Sequence, residues 1–326
     1  MQQVDVSASQ GELIRQRFDL FEEFSQAVHG WDLDFCQLGS SKAPYYLQQL
    51  AGESVLISRA YFSPGFYQMG GATPGCRTVS ILVPRQGGSQ WRWCGESVTP
   101  NSLVVMPRGG EFESISAPDF DSRHLAIAIP ALEQVAQRQY QLPLHRVMPD
   151  GRCFCADGGE PLRTLRALLQ GLTLSPDNTR GRPALVLDQA LEQELAYLVL
   201  ACIAGSDASL PRGPRTKRMQ SLARAMEVLS EDREQVMDMA QLVAAVGISR
   251  RTLENAFKDG FGVGPATFLK SRRLHQLHRS LLQDEGASHS VAAMARQHGF
   301  QHQGQMAADY RQLFGELPSV TLKRPA

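Results

Sequence analysis

Four residues repeated at one fixed spacing constrain this chain more than its composition does. Leu253, Phe257, Gly262 and Pro265 recur 53 residues later as Met306, Tyr310, Gly315 and Pro318. Self-similarity at a single offset marks two copies of one supersecondary unit. The first copy is legible residue by residue. Met239, Leu242, Val243 and Val246 recur at three- and four-residue steps, which is the buried face of a short helix. Gly247 interrupts that pattern where a left-handed turn residue sits without steric cost. Ser249 follows in N-cap position for a second helix that buries Leu253, Ala256 and Phe257. Its other face is basic, with Arg250, Arg251 and Lys258, and Asn255 beside them. An ordinary αα-hairpin would give the same amphipathic pair, so the duplication is what separates the readings. In the second copy Val291, Met294 and Ala295 precede Gly299, with one extra residue in the turn.

Between the copies, Pro265 to Leu282 reads as a connecting helix, with Pro at its start and Leu274, Leu277 and Leu281 on one face. Lys270, Arg272, Arg273 and Arg279 are interspersed around it. Helix, tight glycine turn and helix, with small alanines where the two touch, describe a helix-turn-helix. Two such units on a rigid connector can enter successive major grooves on one side of a duplex.

The run Gly247-Ile248-Ser249, Leu253, Phe257-Lys258, then Gly262, Pro265, Arg273-Leu274, Gly299-Phe300, Gly315 and Pro318, resembles the AraC/XylS family of bacterial transcription regulators. The likeness covers roughly the last third of the chain. Within the family, SRRTLENAF and GFQHQGQMAADYRQLFGELPS resemble the ethanolamine-operon regulator type. The resemblance implies that Arg251, Glu254 and Asn255 face bases, flanked by Ser249, Arg250 and Lys258. Arg can grip guanine and Asn adenine bidentately, while Glu254 can accept from cytosine or orient Arg250 or Arg251. In the second unit the matching positions are Gln303, Gly304, Ala307 and Ala308, with His302 and Gln305 alongside. These carry little charge, and Asp309 adds a negative one, so the second unit is expected to discriminate through fit and DNA shape.

Charge distribution agrees with that division of labour. The 326 residues carry no formal net charge, but the stretch from Arg212 onward holds 17 Lys and Arg against 11 Asp and Glu. The remainder is acidic by the same margin, as expected if one domain approaches phosphate. No stretch reads as a secretory signal or reaches membrane-spanning length, so a cytoplasmic protein of the bacterial nucleoid is expected. The six cysteines do not form a disulfide or zinc framework, and Cys153 and Cys155 make a lone C-x-C.

Residues 1–205 read as a separate module, 206–216 as a linker rich in Gly, Ser, Pro and Arg, and 217–326 as the DNA-binding domain. Residues 11–29 suggest an amphipathic helix. From Trp31 to Ile129 short β-rich runs alternate with turn residues, which suggests a small antiparallel barrel or sandwich. The family resemblance implies a cupin-like sensor barrel, giving an α+β chain with an all-α C-terminal domain. Helices are expected at Ala131–Tyr140, Pro161–Leu172, Pro183–Ala204 and Lys217–Leu229; in the family, helices after the barrel carry the homodimer contact.

Catalysis finds little support in these residues. A metal-dependent cupin enzyme needs clustered His with a carboxylate, whereas His29, His124 and His145 stand far apart. His275/His278 and His298/His302 have helix spacing, but fall in the DNA-binding domain, where contacts to backbone or phosphate account for them. No metal or cofactor is expected. Gly70-Gly71 and Gly87-Gly88 read as strand-connecting turns. Trp91 and Trp93 alternate on one strand and face one side, lining a small-molecule cavity or filling the core, with Arg92 outward. The expected protein is a promoter-binding regulator, more often an activator, with double-stranded DNA, a second copy and RNA polymerase as partners. Its effector is unspecified, and the barrel could instead serve assembly alone.

Overall fold

The computed structural model describes residues 13–323 except 20–22, 25–26, 28–30, 39–44, 73–74, 84–90, 95, 109–111, 152, 156, 173–186, 206–216, 232–235 and 285–289. The expected linker therefore lies outside the described residues, as does Gly87-Gly88. The chain divides into two compact units: residues 1–34, 44–62 and 68–213, and residues 35–43, 63–67 and 214–326. None of the described helices is long and apolar enough to cross a membrane.

Strands run in chain order as β1 (Leu13–Phe18), β2 (Trp31–Gln37), β3 (Tyr45–Ala51), β4 (Val55–Phe62), β5 (Phe66–Ala72) and β6 (Cys76–Leu82). They continue as β7 (Trp91–Trp93), β8 (Glu96–Val98), β9 (Leu103–Val105), β10 (Phe112–Ser116), β11 (Phe120–Ala128) and β12 (Cys153–Cys155). The described strands form two sheets, ordered β1-β3-β4-β11-β6-β9-β12 and β2-β5-β10-β7-β8. Neither closes, so the expected barrel is corrected to a pair of open sheets. The reason lies in β11, whose residues are needed on both faces. Leu125 and Ile127 share a core with helices, while Phe120, on the opposite face, meets Trp91 edge-to-face at 5.3 Å. A sheet buried on both sides makes a layer rather than the wall of a small barrel.

The helices covering the first of those faces are α1 (Ile129–Tyr140), α2 (Leu144–Val147), α3 (Gly159–Leu172) and α4 (Gln189–Ala204). Leu132 and Ala136 of α1, Leu162, Leu165 and Leu169 of α3, and Leu195 and Val199 of α4 are buried against Leu50, Ile57, Val79 and Leu103. α4 is accordingly core along most of its length. It is anchored by Glu192, whose carboxylate accepts from the Glu53 and Ser54 backbone N–H groups at 2.6 and 3.0 Å. A Cβ at Gly52 would come within 1.9 Å of Glu192 Oε1, so a larger residue there would have to displace the anchoring carboxylate.

Two other expectations change. The start of the 11–29 segment is strand, not helix: β1 pairs antiparallel with β3, Leu13 opposite Leu50 and Phe18 opposite Tyr45. Its LIRQRF lacks strict alternation, and β3 supplies the hydrogen-bond partners that a local reading cannot see. Gly70-Gly71 lies within β5 rather than in a turn. Trp91 and Trp93 are buried at 2 % and 0 % exposure. Trp91 Nε1 donates to Ser114 Oγ at 2.6 Å, and Arg92 is half-buried. Cys36, Cys76, Cys94 and Cys202 are buried thiols outside any disulfide among the described residues, and burial pushes the Cys76 thiol pKa up.

Candidate nucleic-acid interface

The second unit contains α5 (Lys217–Glu231), α6 (Met239–Val246), α7 (Arg250–Phe261), α8 (Pro265–Gln283), α9 (Val291–Gln297), α10 (Gln303–Phe314) and α11 (Pro318–Thr321). Each boundary of the first helix-turn-helix has a local cause. Asp238 caps α6 through a reciprocal box, accepting from the Gln241 N–H at 2.8 Å while Gln241 Oε1 accepts from the Asp238 N–H at 2.8 Å. Gly247 ends the helix in the left-handed region, φ 70°. Ser249 then caps α7, accepting from the Thr252 N–H at 3.1 Å.

Packing fixes which face of α7 is outward. Leu253, Ala256 and Phe257 are buried at 0–1 % exposure. Phe257 meets Phe261 and Phe268 edge-to-face at 5.0 and 5.4 Å. Ser249, Arg250, Arg251 and Lys258 are exposed, and Glu254 and Asn255 are half-buried beside them. The Glu254 carboxylate accepts from Arg250 Nε at 2.9 Å. Among the pairings weighed from the sequence, Glu254 therefore engages Arg250.

The second copy is built on the same plan with different chemistry. Gly299, φ 75°, ends its turn, and Gly315, φ 79°, ends α10 as Gly262 ends α7 at 70°. Ser290 caps α9, but α10 starts at His302 without a side-chain cap. His302, Gln303, Gly304, Gln305 and Ala308 are exposed, and Ala307 is half-buried. Asp309 does not present an open charge: Lys270 Nζ of α8 donates to Asp309 Oδ1 at 3.0 Å, and the Asp309 side chain is 12 % exposed. Arg273 of α8 is likewise turned inward. Its guanidinium lies 5.3 Å from the Phe300 ring centroid and donates to the Gly299 carbonyl at 3.4 Å. Burial lowers its pKa. Lys270 and Arg273 of the connector thus fasten the second unit to α8.

His275, His278 and His298, unlike exposed His302, make their contacts within the domain. His278 Nδ1 hydrogen-bonds the Tyr310 hydroxyl, which in turn bonds Thr321 Oγ1 at 2.7 Å, and Thr321 donates to Glu316 Oε1 at 2.6 Å. His278 also stacks on Phe314 at 4.4 Å. His298 Nε2 bonds Ser280 Oγ at 2.9 Å. His275 Nε2 accepts from the Gln37 backbone N–H at 2.9 Å. Burial first, then the like charges of His278 and Arg279, pushes the His275 pKa down to about 3.

That shift predicts an acid limb. The unfolded chain takes up the His275 proton near its ordinary pKa of about 6.5, while the folded unit resists until about 3. Stability is thus fully present above 6.5 and declines as pH falls towards 3, by about 1.4 kcal/mol per pH unit from this group. Urea denaturation of wild type and His275→Gln between pH 7 and pH 5 should show a shallower decline in the variant. Parallel declines would remove His275 from the acid response.

Two helix-turn-helix units joined by one helix define a helix-turn-helix domain, and residues 242–324 match the helix-turn-helix domain family. The chain is 34 % identical over 99 residues to the probable thc operon regulatory protein of Rhodococcus erythropolis, covering 30 % of each protein. It is 32 % identical over 110 residues to the XylDLEGF operon transcriptional activator of Pseudomonas putida, covering 33 % of this chain and 34 % of that one. The chain thus matches about a third of the length of these relatives. Over 88 % of its length it can be superposed on the AraC-like transcriptional activator CuxR, at 15 % identity and a TM-score of 0.42, too low to treat the two as one fold.

Proposed function

We propose that this chain is an AraC/XylS-type regulator that binds promoter DNA through residues 217–326 and activates transcription in the bacterial cytoplasm. The observation that carries the reading is the outward face of α7. It presents Arg251 and Asn255 beside the Arg250–Glu254 pair, on a helix whose other face is locked by Leu253 and Phe257. Arg251 would read a guanine edge and Asn255 an adenine edge. Ser249, Arg250 and Lys258 would contact the backbone, and His302, Gln303, Gln305, Ala307 and Ala308 would meet the next groove by fit. α8 has 19 residues, about 28 Å at 1.5 Å per residue, which is of the order of one duplex turn, about 34 Å. In the proposed regulator the first unit supports self-association as a homodimer and contact with RNA polymerase. SRRTLENAF supports the ethanolamine-operon regulator type within the class.

The test is binding of the full chain to its mapped genomic site and to a scrambled duplex across a salt series. Arg251→Ala is expected to cost about 1–3 kcal/mol on the specific site and to relax preference at one base pair. Arg250→Ala should weaken both duplexes alike and reduce the slope of log K against log[salt] by roughly one. If Arg251→Ala leaves affinity and preferred sequence unchanged in a folded protein, α7 is not in the major groove.

A further inference from the structure

The helix-covered face of the seven-stranded sheet carries a row of cations that the DNA-binding reading does not use. Strand register places Arg15 of β1 opposite Gln48 of β3, Gln48 opposite Arg59 of β4, and Arg59 opposite Arg123 of β11. Directly paired residues of antiparallel strands share a face, so these four stand side by side on one surface. It is the same face that sends Ile57 and Leu125 into the core shared with α3, since both lie two residues from the arginines on their strands. Arg166 reaches the row from α3, between the buried Leu165 and Leu169.

Among the described residues of this row, Arg59 and Arg166 differ in how far they are satisfied. Arg59 is neutralised by Asp121, donating from Nε at 3.0 Å and Nη2 at 2.7 Å to its two carboxylate oxygens. Asp121 stands two residues from Arg123 on the same face, and its charge acts on Arg123 as well. Burial leads in lowering the Arg123 pKa to about 10, and the charges of Arg59, Asp121 and Arg166 also act on it, which places Arg166 beside the row. Arg166 Nε and Nη2 are buried without a hydrogen-bond partner among the described residues, and so is Gln48 Oε1. A guanidinium with two unsatisfied buried N–H groups is costly unless an acceptor completes it, and its fork geometry suits a planar or tetrahedral oxyanion bidentately.

We propose that Arg166, Arg123 and Arg15, with Gln48, form a binding site for a small molecule bearing a carboxylate or a phosphate, on the sheet face beneath α3. Asp121 keeps Arg59 satisfied and sets the shape of the site, while Arg166 supplies the open fork and Arg15, exposed at the sheet edge, the entry. The site lies in the first unit, and its occupancy stands or falls independently of whether α7 reads DNA.

The experiment is thermal unfolding and calorimetric titration of the full chain with pyrophosphate and, separately, citrate, at ionic strength held constant with NaCl. Wild type, Arg166→Gln and Arg15→Gln are compared. Saturable binding of one anion or the other, with a midpoint that rises by mass action, is expected in wild type. Arg166→Gln should weaken it about tenfold or more, and Arg15→Gln by a smaller factor. The preferred probe separates a phosphate from a carboxylate ligand. General stabilisation by these kosmotropic anions does not saturate and is shared by all three proteins. Should Arg166→Gln fail to fold, exposed Arg15 decides alone. Absence of saturable binding in wild type, or saturable binding with equal midpoint shifts in wild type and the folded variants, would overturn the site.

Discussion

Phe257→Ala is expected to lower the unfolding free energy of the second unit by about 3–5 kcal/mol. The ring is at 0 % exposure and is gripped by Phe261 and Phe268, which themselves stack at 5.0 Å. Those rings cannot collapse into the space without losing their own contacts, so most of the cavity should persist. Its repeat partner makes an instructive contrast. Tyr310 is buried to the same extent, but carries a hydroxyl that satisfies His278 and Thr321. Denaturation followed by hydrogen exchange in α7 reads the Phe257 effect directly. A loss below about 1 kcal/mol would mean that the three rings repack and the cluster is not a rigid support.

Asp121→Ala should be comparably severe in the first unit, about 3–5 kcal/mol. The Arg59–Asp121 pair has side-chain exposures of 9 % and 1 %, so removing the carboxylate strands a desolvated guanidinium next to Arg123. Replacing the pair together, Arg59→Met with Asp121→Leu, should recover much of the loss, because the penalty arises from the orphan charge rather than from the pair's net worth. A double-mutant cycle in urea measures the coupling. Additive single effects would show that each charge is solvated on its own.

The helix-turn-helix was legible because its signals are local. Gly247, Ser249 and Gly262 each act within four residues of the boundary they set, and the 53-residue offset named the second copy from one string of letters. Most β runs were legible for the same reason. β5 was not, since Gly70 and Gly71 dilute its strand character, and β1 needed its pairing with β3 to declare itself. Closure was misjudged because alternation tells that a strand has two faces, not what covers each. At the candidate interface, the outward placement of Arg250 and Arg251 followed from the helical period. The inward turn of Asp309 did not, because Lys270 lies 39 residues away and only packing brings them together. The arginine row is likewise a property of register across four strands, invisible along the chain.

The Lys270–Asp309 tie gives the duplication an asymmetry with a practical side. Asp309 stands where the first copy has Ala256, so a small residue at a helix contact has become a tether to the connector. The two copies are therefore not interchangeable as targets for redesign. On the proposed reading, varying Arg251, Glu254 and Asn255 would change letters in the recognised word while leaving the buried frame of Leu253 and Phe257 intact. Varying Lys270, Arg273 or Asp309 would instead loosen the seat of the second unit on α8, which on the proposed reading alters how its outward face is presented rather than what that face carries.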